Sequence, residues 1–103
     1  MSRKTIRLLA VCGNGLGSSM IVKMSLEEVI EDLKINAIVE STSVAEAAGM
    51  MPFTDVVITS TAFFNGIKDM IPAGKEVVTV KNLLNKAELG QAVKEAIARI
   101  LAK

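Results

Sequence analysis

The sequence contains no histidine, tryptophan or tyrosine, and it has one cysteine and two prolines among its 103 residues. The missing histidine excludes a phosphohistidine, a Ser-His or Cys-His catalytic pair and nearly every transition-metal site. A single cysteine excludes an internal disulfide, which favours a reducing cytosol. No apolar run approaches the ~20 residues that a membrane-spanning helix needs. Any chemistry must therefore depend on very few side chains.

An excess of charge of one sign is also lacking, since twelve basic and eleven acidic residues give a net charge of +1. This balance argues against a nucleic-acid-binding protein of the strongly basic kind. Only three residues are aromatic although half are hydrophobic, so the predicted core is aliphatic. The length allows one core, which predicts a single domain over residues 1–103. The start does not match a secretory signal peptide, and a cytoplasmic location is expected.

The apolar pattern alternates between short strand-like runs and helical stripes. Residues 6–11 form a run typical of a buried strand, and residues 18–33 form an amphipathic helix that Ser18 or Ser19 would cap. Strands are further predicted over 37–40, 55–59 and 77–80, a helix over 44–50, and a turn or short helix over 65–71. The last helix has a stripe of Leu89, Val93, Ile97, Ile100 and Leu101, after a capping-box-like pair, Asn85 and Glu88.

Alternating strands and helices are typically joined by right-handed crossovers between parallel strands. The sequence therefore predicts an α/β fold, a three-layer sandwich with a parallel sheet of about four strands in a Rossmann-like arrangement. Ligands of such sheets bind at the carboxyl ends of the strands. The segment after the first strand is thus the first place to look for chemistry.

That segment combines the single cysteine with three glycines. The glycines allow a tight turn whose N–H groups face inward, and the following helix adds free N–H groups and the positive end of its dipole. Such a concavity binds a phosphoryl group and favours the thiolate form of a nearby cysteine. Cys12 is the predicted nucleophile, and the predicted phosphate-binding residues are Gly13, Asn14, Gly15, Leu16, Gly17, Ser18 and Ser19.

Other interpretations of this loop stay open on the residues alone. A cysteine at a strand end is often a small buried hydrophobic residue, and the chain would then be a non-catalytic α/β adaptor. A dinucleotide-binding fingerprint would have its third glycine at the position of Ser18. A low-molecular-weight phosphatase or arsenate-reductase-like enzyme would use the same loop, but the phosphatase needs an arginine where Ser18 stands. It also needs a general acid, and Asp55 is predicted at the opposite edge of the sheet.

Further candidates follow the later strands. Thr59, Ser60 and Thr61 come after the third strand and Lys81 after the fourth, so all four are predicted near the cysteine loop. Several larger apolar residues form either a docking rim or, as the preferred interpretation for the methionines, part of the core; they are Phe63, Phe64, Met20, Met50 and Met51.

Residues 9–24, LAVCGNGLGSSMIVKM, closely resemble enzyme IIB components of the bacterial phosphoenolpyruvate-dependent sugar phosphotransferase system (PTS). Among these components the stretch is most similar to the ascorbate-type group, and the galactitol and lactose types are more distant. Residues 80–84, VKNLL, resemble the segment after the fourth strand of the same group. One departure is Leu16, where a polar residue such as glutamine is expected.

The resemblance implies a phosphocarrier in sugar uptake, with residues 1–103 as a single IIB domain. Cys12 is then expected to accept phosphate from a phosphohistidine on a IIA partner. It would donate this phosphate to a sugar, ascorbate by the resemblance, held by the membrane IIC partner. The implied activity is a phosphotransferase without cofactor or metal. No nucleic-acid partner and no direct membrane insertion are expected, and the protein would lie in the cytoplasm, peripheral to the inner membrane through IIC.

Overall fold

A computed structural model describes residues 5–12, 16–82 and 85–102. Strands and helices alternate along this part of the chain: β1 Ile6–Cys12, α1 Leu16–Leu33, β2 Ala37–Ser43, α2 Val44–Met50, β3 Val56–Ser60, α3 Thr61–Ile67, β4 Glu76–Val80 and α4 Lys86–Ala102. Short 3-10 turns follow α2 at Met51–Phe53 and α3 at Lys68–Met70.

The four strands form one parallel sheet in the order β2-β1-β3-β4. β1 lies inside the sheet and pairs along its whole length with β2, from Ile6–Ala37 to Cys12–Ser43. Its other edge pairs with β3, and the last matched positions there are Val11 and Thr59. Helices α1 and α4 cover one face, while α2 and α3 cover the other. The predicted α/β sandwich with a four-stranded parallel sheet is confirmed.

Each face of the sheet has its own core. The larger one packs alternate strand residues such as Leu8 and Ile58 against Leu26 of α1 and Leu89 of α4. The smaller one packs Leu9, Val11 and Val57 against Ala47, Met51 and Ile67. Every buried hydrophobic side chain of the described residues is aliphatic or methionine, as the scarcity of aromatic residues predicts. This two-sided burial explains why β1 and β3 have continuous apolar runs.

Several element boundaries differ from those predicted. Helix α1 begins at Leu16, so Ser18 and Ser19 lie in its first turn, and the prediction that either of them caps it is wrong. Strand β2 continues to Ser43, and α3 begins at Thr61, directly after β3. Leu101 belongs to the last turn of α4 and is exposed, which ends the predicted apolar stripe at Ile100.

The start of α4 is fixed by side-chain contacts. The Glu88 N–H donates to Asn85 Oδ1 at 3.2 Å, which confirms one half of the predicted capping box. The other half of the box does not form, because the Asn85 N–H donates to the Asn82 carbonyl at 3.0 Å. The Glu88 carboxylate instead accepts the N–H of Lys81 at 3.2 Å, which connects the helix to the end of β4. Lys86 Nζ lies 2.6 Å from Glu28 Oε1 of α1. This hydrogen bond raises the pKa of Lys86 above its ordinary value.

Candidate functional site

The carboxyl ends of all four strands meet at one edge of the sheet, because the strands are parallel. β1 ends at Cys12, β2 at Ser43, β3 at Ser60 and β4 at Val80. Cys12 is matched directly with Ser43. On its other side it stands one residue beyond the Val11–Thr59 pair, at the level of Ser60. The backbone register thus places Cys12 between two serines at the centre of this edge.

The cysteine loop leads from this edge into α1. Gly13, Asn14 and Gly15 lie outside the described residues, and their predicted role in binding phosphate stays a prediction. Leu16, Gly17, Ser18 and Ser19 form the first turn of α1. The first four N–H groups of a helix have no acceptor within it, and the dipole is positive at this end. The start of α1 therefore offers backbone donors to an anion near the end of β1.

Thr59 supports the strand that carries Cys12. Its side chain is fully buried, and its hydroxyl donates to the Val11 carbonyl oxygen at 2.9 Å. This bond joins β3 to β1 one residue before Cys12, on the strand edge where the backbone pairing ends. The sequence predicts that Thr59 lies near the cysteine loop. In the structure its hydroxyl stabilises the pairing of β3 with β1.

The other candidates at this edge differ in exposure. The Ser60 side chain is 7 % exposed, and its Oγ is buried without a hydrogen-bond partner among the residues that the structure describes. Thr61 is the exposed first residue of α3, and Lys81 is exposed directly after β4. Ser43 was not predicted at this edge, since β2 was expected to end at residue 40. No apolar alternation continues through residues 41–43, so the sequence has no pattern that would have extended the strand.

The opposite edge of the sheet holds Asp55, the acid considered for a phosphatase. Its carboxylate Oδ2 accepts the Arg7 N–H at 2.9 Å, and its own N–H donates to the Arg7 carbonyl at the same distance. Asp55 precedes β3 and therefore lies at the amino ends of the strands. The prediction that it is remote from the cysteine loop is confirmed, so it is not placed to act as the general acid there.

Exposed apolar side chains lie in the second and third turns of α1. Met20 is 68 % and Met24 57 % exposed, and Ile21 between them is also exposed. For Met20 the preferred prediction of core packing is wrong, because it lies on the outer face of the second helical turn. For Met51 it is confirmed, since this side chain is buried in the smaller core, and Met50 packs against that core. Phe63 is exposed on α3 and Phe64 is partly buried.

Comparison with known proteins gives a consistent result. A family model described as "PTS system, Lactose/Cellobiose specific IIB subunit" matches residues 7–95. Proteins named ascorbate-specific PTS system EIIB component, from Salmonella typhimurium and Escherichia coli O157:H7, are each 39 % identical to the chain over 93 residues. These alignments cover 90 % of the chain and 90 % of each relative.

A solved structure is similar over nearly the whole chain. It is the lactose-specific IIB component domain of the phosphoenolpyruvate:carbohydrate phosphotransferase system from Streptococcus pneumoniae, with a TM-score of 0.63. The match covers 96 % of this chain and 97 % of that chain at 16 % sequence identity, so it supports the fold. Among the helices that the structure describes, none combines the length and apolar character needed to cross a membrane.

Proposed function

Since the chain belongs to the lactose/cellobiose-type IIB family of the PTS, whose members are phosphotransferases, we propose that Cys12 carries the phosphoryl group. The observation that supports this most is the position of Cys12. It is the last residue of an interior strand, and α1 begins four residues later at the same edge of the sheet. A nucleophile and the backbone donors for an anion are thereby supplied by one continuous segment.

The relay consists of two displacements at phosphorus. The Cys12 thiolate attacks a phosphohistidine on the IIA partner, so an S–P bond forms and the N–P bond breaks. A hydroxyl oxygen of the sugar held by IIC then attacks the same phosphorus and forms an O–P bond. The electron pair of the S–P bond returns to sulfur, and the hydroxyl proton passes to solvent. Backbone N–H groups of residues 13–19 hold the phosphoryl oxygens in both steps. This cradle uses no cofactor and no metal.

The absence of an arginine from the loop suits a carrier. Ser18 stands where a phosphatase of this loop type has the guanidinium that clamps phosphate with two parallel hydrogen bonds. A looser cradle releases the phosphoryl group to the next acceptor, and Asp55 at the far edge cannot assist hydrolysis. The thiolate is a good leaving group, which keeps the second displacement feasible.

The names of the relatives at 39 % identity support ascorbate as the sugar. The proposed partners are a phosphorylated IIA protein as donor and a membrane IIC permease on the acceptor side. In this scheme residues 1–103 act as one carrier domain in the cytoplasm, held at the inner membrane through IIC. The exposed apolar side chains of α1 near the loop are suited to a protein surface rather than to nucleic acid.

The test is intact-mass spectrometry after incubation with phosphoenolpyruvate, the general PTS proteins and the IIA partner. We expect the wild-type chain to gain the mass of one phosphoryl group, and Cys12→Ser to gain none under the same conditions. The matched control omits phosphoenolpyruvate. A Cys12→Ser chain that still gains the phosphoryl mass at the wild-type rate would refute the phosphocysteine. Sustained hydrolysis of p-nitrophenyl phosphate that is lost in Cys12→Ala would instead favour the phosphatase.

A further inference from the structure

Charged side chains are scarce at the carboxyl edge of the sheet. The segment after β1, residues 13–19, includes none, and neither does α3, which follows β3. Helix α2, which follows β2, has Glu46, and residues 81–85, which follow β4, have Lys81. Among the segments that directly follow the four strands, Lys81 is therefore the one cation. A single lysine supplies the positive side-chain charge at the edge where Cys12 lies.

The charge of Lys81 is not neutralised by an ion pair. The next basic residue, Lys86, is held 2.6 Å from Glu28, whereas Lys81 belongs to no ion pair within the described ranges. Its side chain is exposed, and its backbone N–H donates to the Glu88 carboxylate at 3.2 Å. This bond holds the backbone of Lys81 at the end of β4, while the ammonium forms no ion pair with the same carboxylate. The charge can therefore act on an anion bound at this edge.

The register of the sheet gives the separation between Lys81 and Cys12. Cys12 stands at the level of Ser60, and Ser60 pairs with Val80. Lys81 is thus two strands away from Cys12 and one residue beyond its level. Neighbouring strands are about 4.8 Å apart and successive residues about 3.3 Å, which puts the two Cα atoms about 10 Å apart. The flexible four-carbon stem of lysine can carry the ammonium across part of that gap.

We propose that the Lys81 ammonium supplies the positive potential that attracts the anionic phosphoryl group to Cys12, an inference that rests on the proposed function. The charge acts through space on the phosphoryl oxygens, both on the approaching IIA protein and on the loaded cysteine. A lysine suits this role because it is a flexible point charge without the two-pronged clamp of an arginine. Lys81 gives up no proton and forms no bond to phosphorus, so it changes the rate of loading without entering the displacement.

Two alkylating reagents measure this potential without the partner proteins. Iodoacetate is an anion and iodoacetamide is neutral, and both react with the thiolate of Cys12, the only cysteine. The ratio of their rates therefore reports the local potential and does not depend on the fraction of thiolate. Lys81→Met removes the charge and keeps an unbranched side chain. We expect it to lower the iodoacetate to iodoacetamide ratio roughly two- to threefold at 0.01 M salt, where the Debye length is about 30 Å. At 1 M salt the Debye length is about 3 Å, and the difference should disappear.

Lys75 provides the matched control. It precedes β4 and lies at the amino edge of the sheet, about 20 Å from Lys81 along the same strand. Lys75→Met changes the net charge of the chain by the same amount, and we expect it to leave the ratio within about 20 % of wild type. Lys81→Arg keeps the charge and should retain the wild-type ratio. A wild-type ratio in Lys81→Met at low salt overturns the inference. An equal fall in Lys75→Met also overturns it, because net charge alone would then explain the effect.

The same variants test the rate of loading. A phosphoryl group carries up to about two negative charges, so kcat/KM for transfer from the phosphorylated IIA protein should fall roughly fivefold in Lys81→Met at low salt. Lys75→Met should keep the wild-type kcat/KM, and a wild-type value in Lys81→Met overturns the inference. Failure of the proposed function is a separate result. A wild-type chain that gains no phosphoryl mass in the complete relay refutes the carrier, while an alkylation ratio lowered in Lys81→Met alone still supports the positive potential at Cys12.

Discussion

At the scale of single residues, the hydroxyl of Thr59 is part of the framework that holds Cys12. Its buried bond to the Val11 carbonyl adds a side-chain link where the pairing of β1 and β3 ends. Thr59→Val keeps the shape of the side chain and removes this bond. We expect the free energy of unfolding to fall by about 1–2 kcal/mol, measured by urea denaturation.

Thr79 supplies the matched control for this substitution. It pairs with Thr59 in the register of β3 and β4, but its side chain is exposed. Thr79→Val should change the free energy of unfolding by no more than about 0.5 kcal/mol. Equal effects of the two substitutions would mean that the Thr59 hydroxyl contributes nothing beyond its place in the strand.

At the scale of secondary-structure elements, replacing either of two exposed glycines by alanine is expected to change stability in opposite directions. Gly49 lies inside α2, and Gly74 lies in the turn before β4 with φ +92°. A Cβ at either position would meet no atom within 4 Å, so space does not distinguish them. Backbone conformation does, because the left-handed region is strained for a residue with a Cβ.

We therefore expect Gly49→Ala to stabilise the chain by about 0.5–1 kcal/mol through helix propensity. Gly74→Ala should destabilise it by about 1 kcal/mol. Thermal and urea unfolding of the two variants measure both changes. A stabilising Gly74→Ala would contradict the conformational argument.

The element order was predictable because each strand and helix has a distinct apolar period. Less predictable were the ends of elements made of small polar residues. Strand β2 continues through Ser41–Ser43 because Thr42 is buried on the smaller core, a tertiary contact that strand propensity alone does not reveal. Helix α1 begins at Leu16, two residues before Ser18, so its start does not coincide with the serines that the sequence offers as caps.

The position of Cys12 was predictable, because the residues around it are contiguous in the sequence. The cysteine, the glycines and the following helix are contiguous, and the structure places Cys12 at the strand end as expected. The difference between the hydroxyls of Thr59 and Ser60 was not predictable. Thr59 donates to the Val11 carbonyl and Ser60 has no partner among the described residues, and both facts depend on how β3 pairs with β1 and on the burial that results.

At the scale of the whole molecule, the exposed methionines of α1 define an apolar surface in the second and third turns of this helix, formed by Met20, Ile21 and Met24. Under the proposed function this surface contacts the donor and acceptor proteins. A double substitution of Met20 and Met24 by lysine should slow phosphoryl transfer from IIA by roughly tenfold, since charge would replace apolar contact. The alkylation of Cys12 by iodoacetamide should stay as in wild type.

Leu101 offers a control of similar exposure. It is 65 % exposed in the last turn of α4, compared with 68 % for Met20, and it does not belong to the α1 surface. Leu101→Lys should leave transfer from IIA at the wild-type rate, followed by rapid quench and mass spectrometry. Equal slowing by Leu101→Lys would show that the effect is one of added charge rather than of the surface on α1.

The interior position of β1 also determines how often the strand that ends at Cys12 opens. Separation of β2 alone leaves β1 paired with β3, and separation of β4 does not reach it. The amide hydrogens of residues 8–11, where β1 has a neighbour on both sides, should therefore exchange with deuterium only in the rare openings that disrupt most of the sheet. Edge strands can open singly and exchange sooner. Under the proposed function, loading and release therefore take place at the end of one of the two interior strands, which open least often.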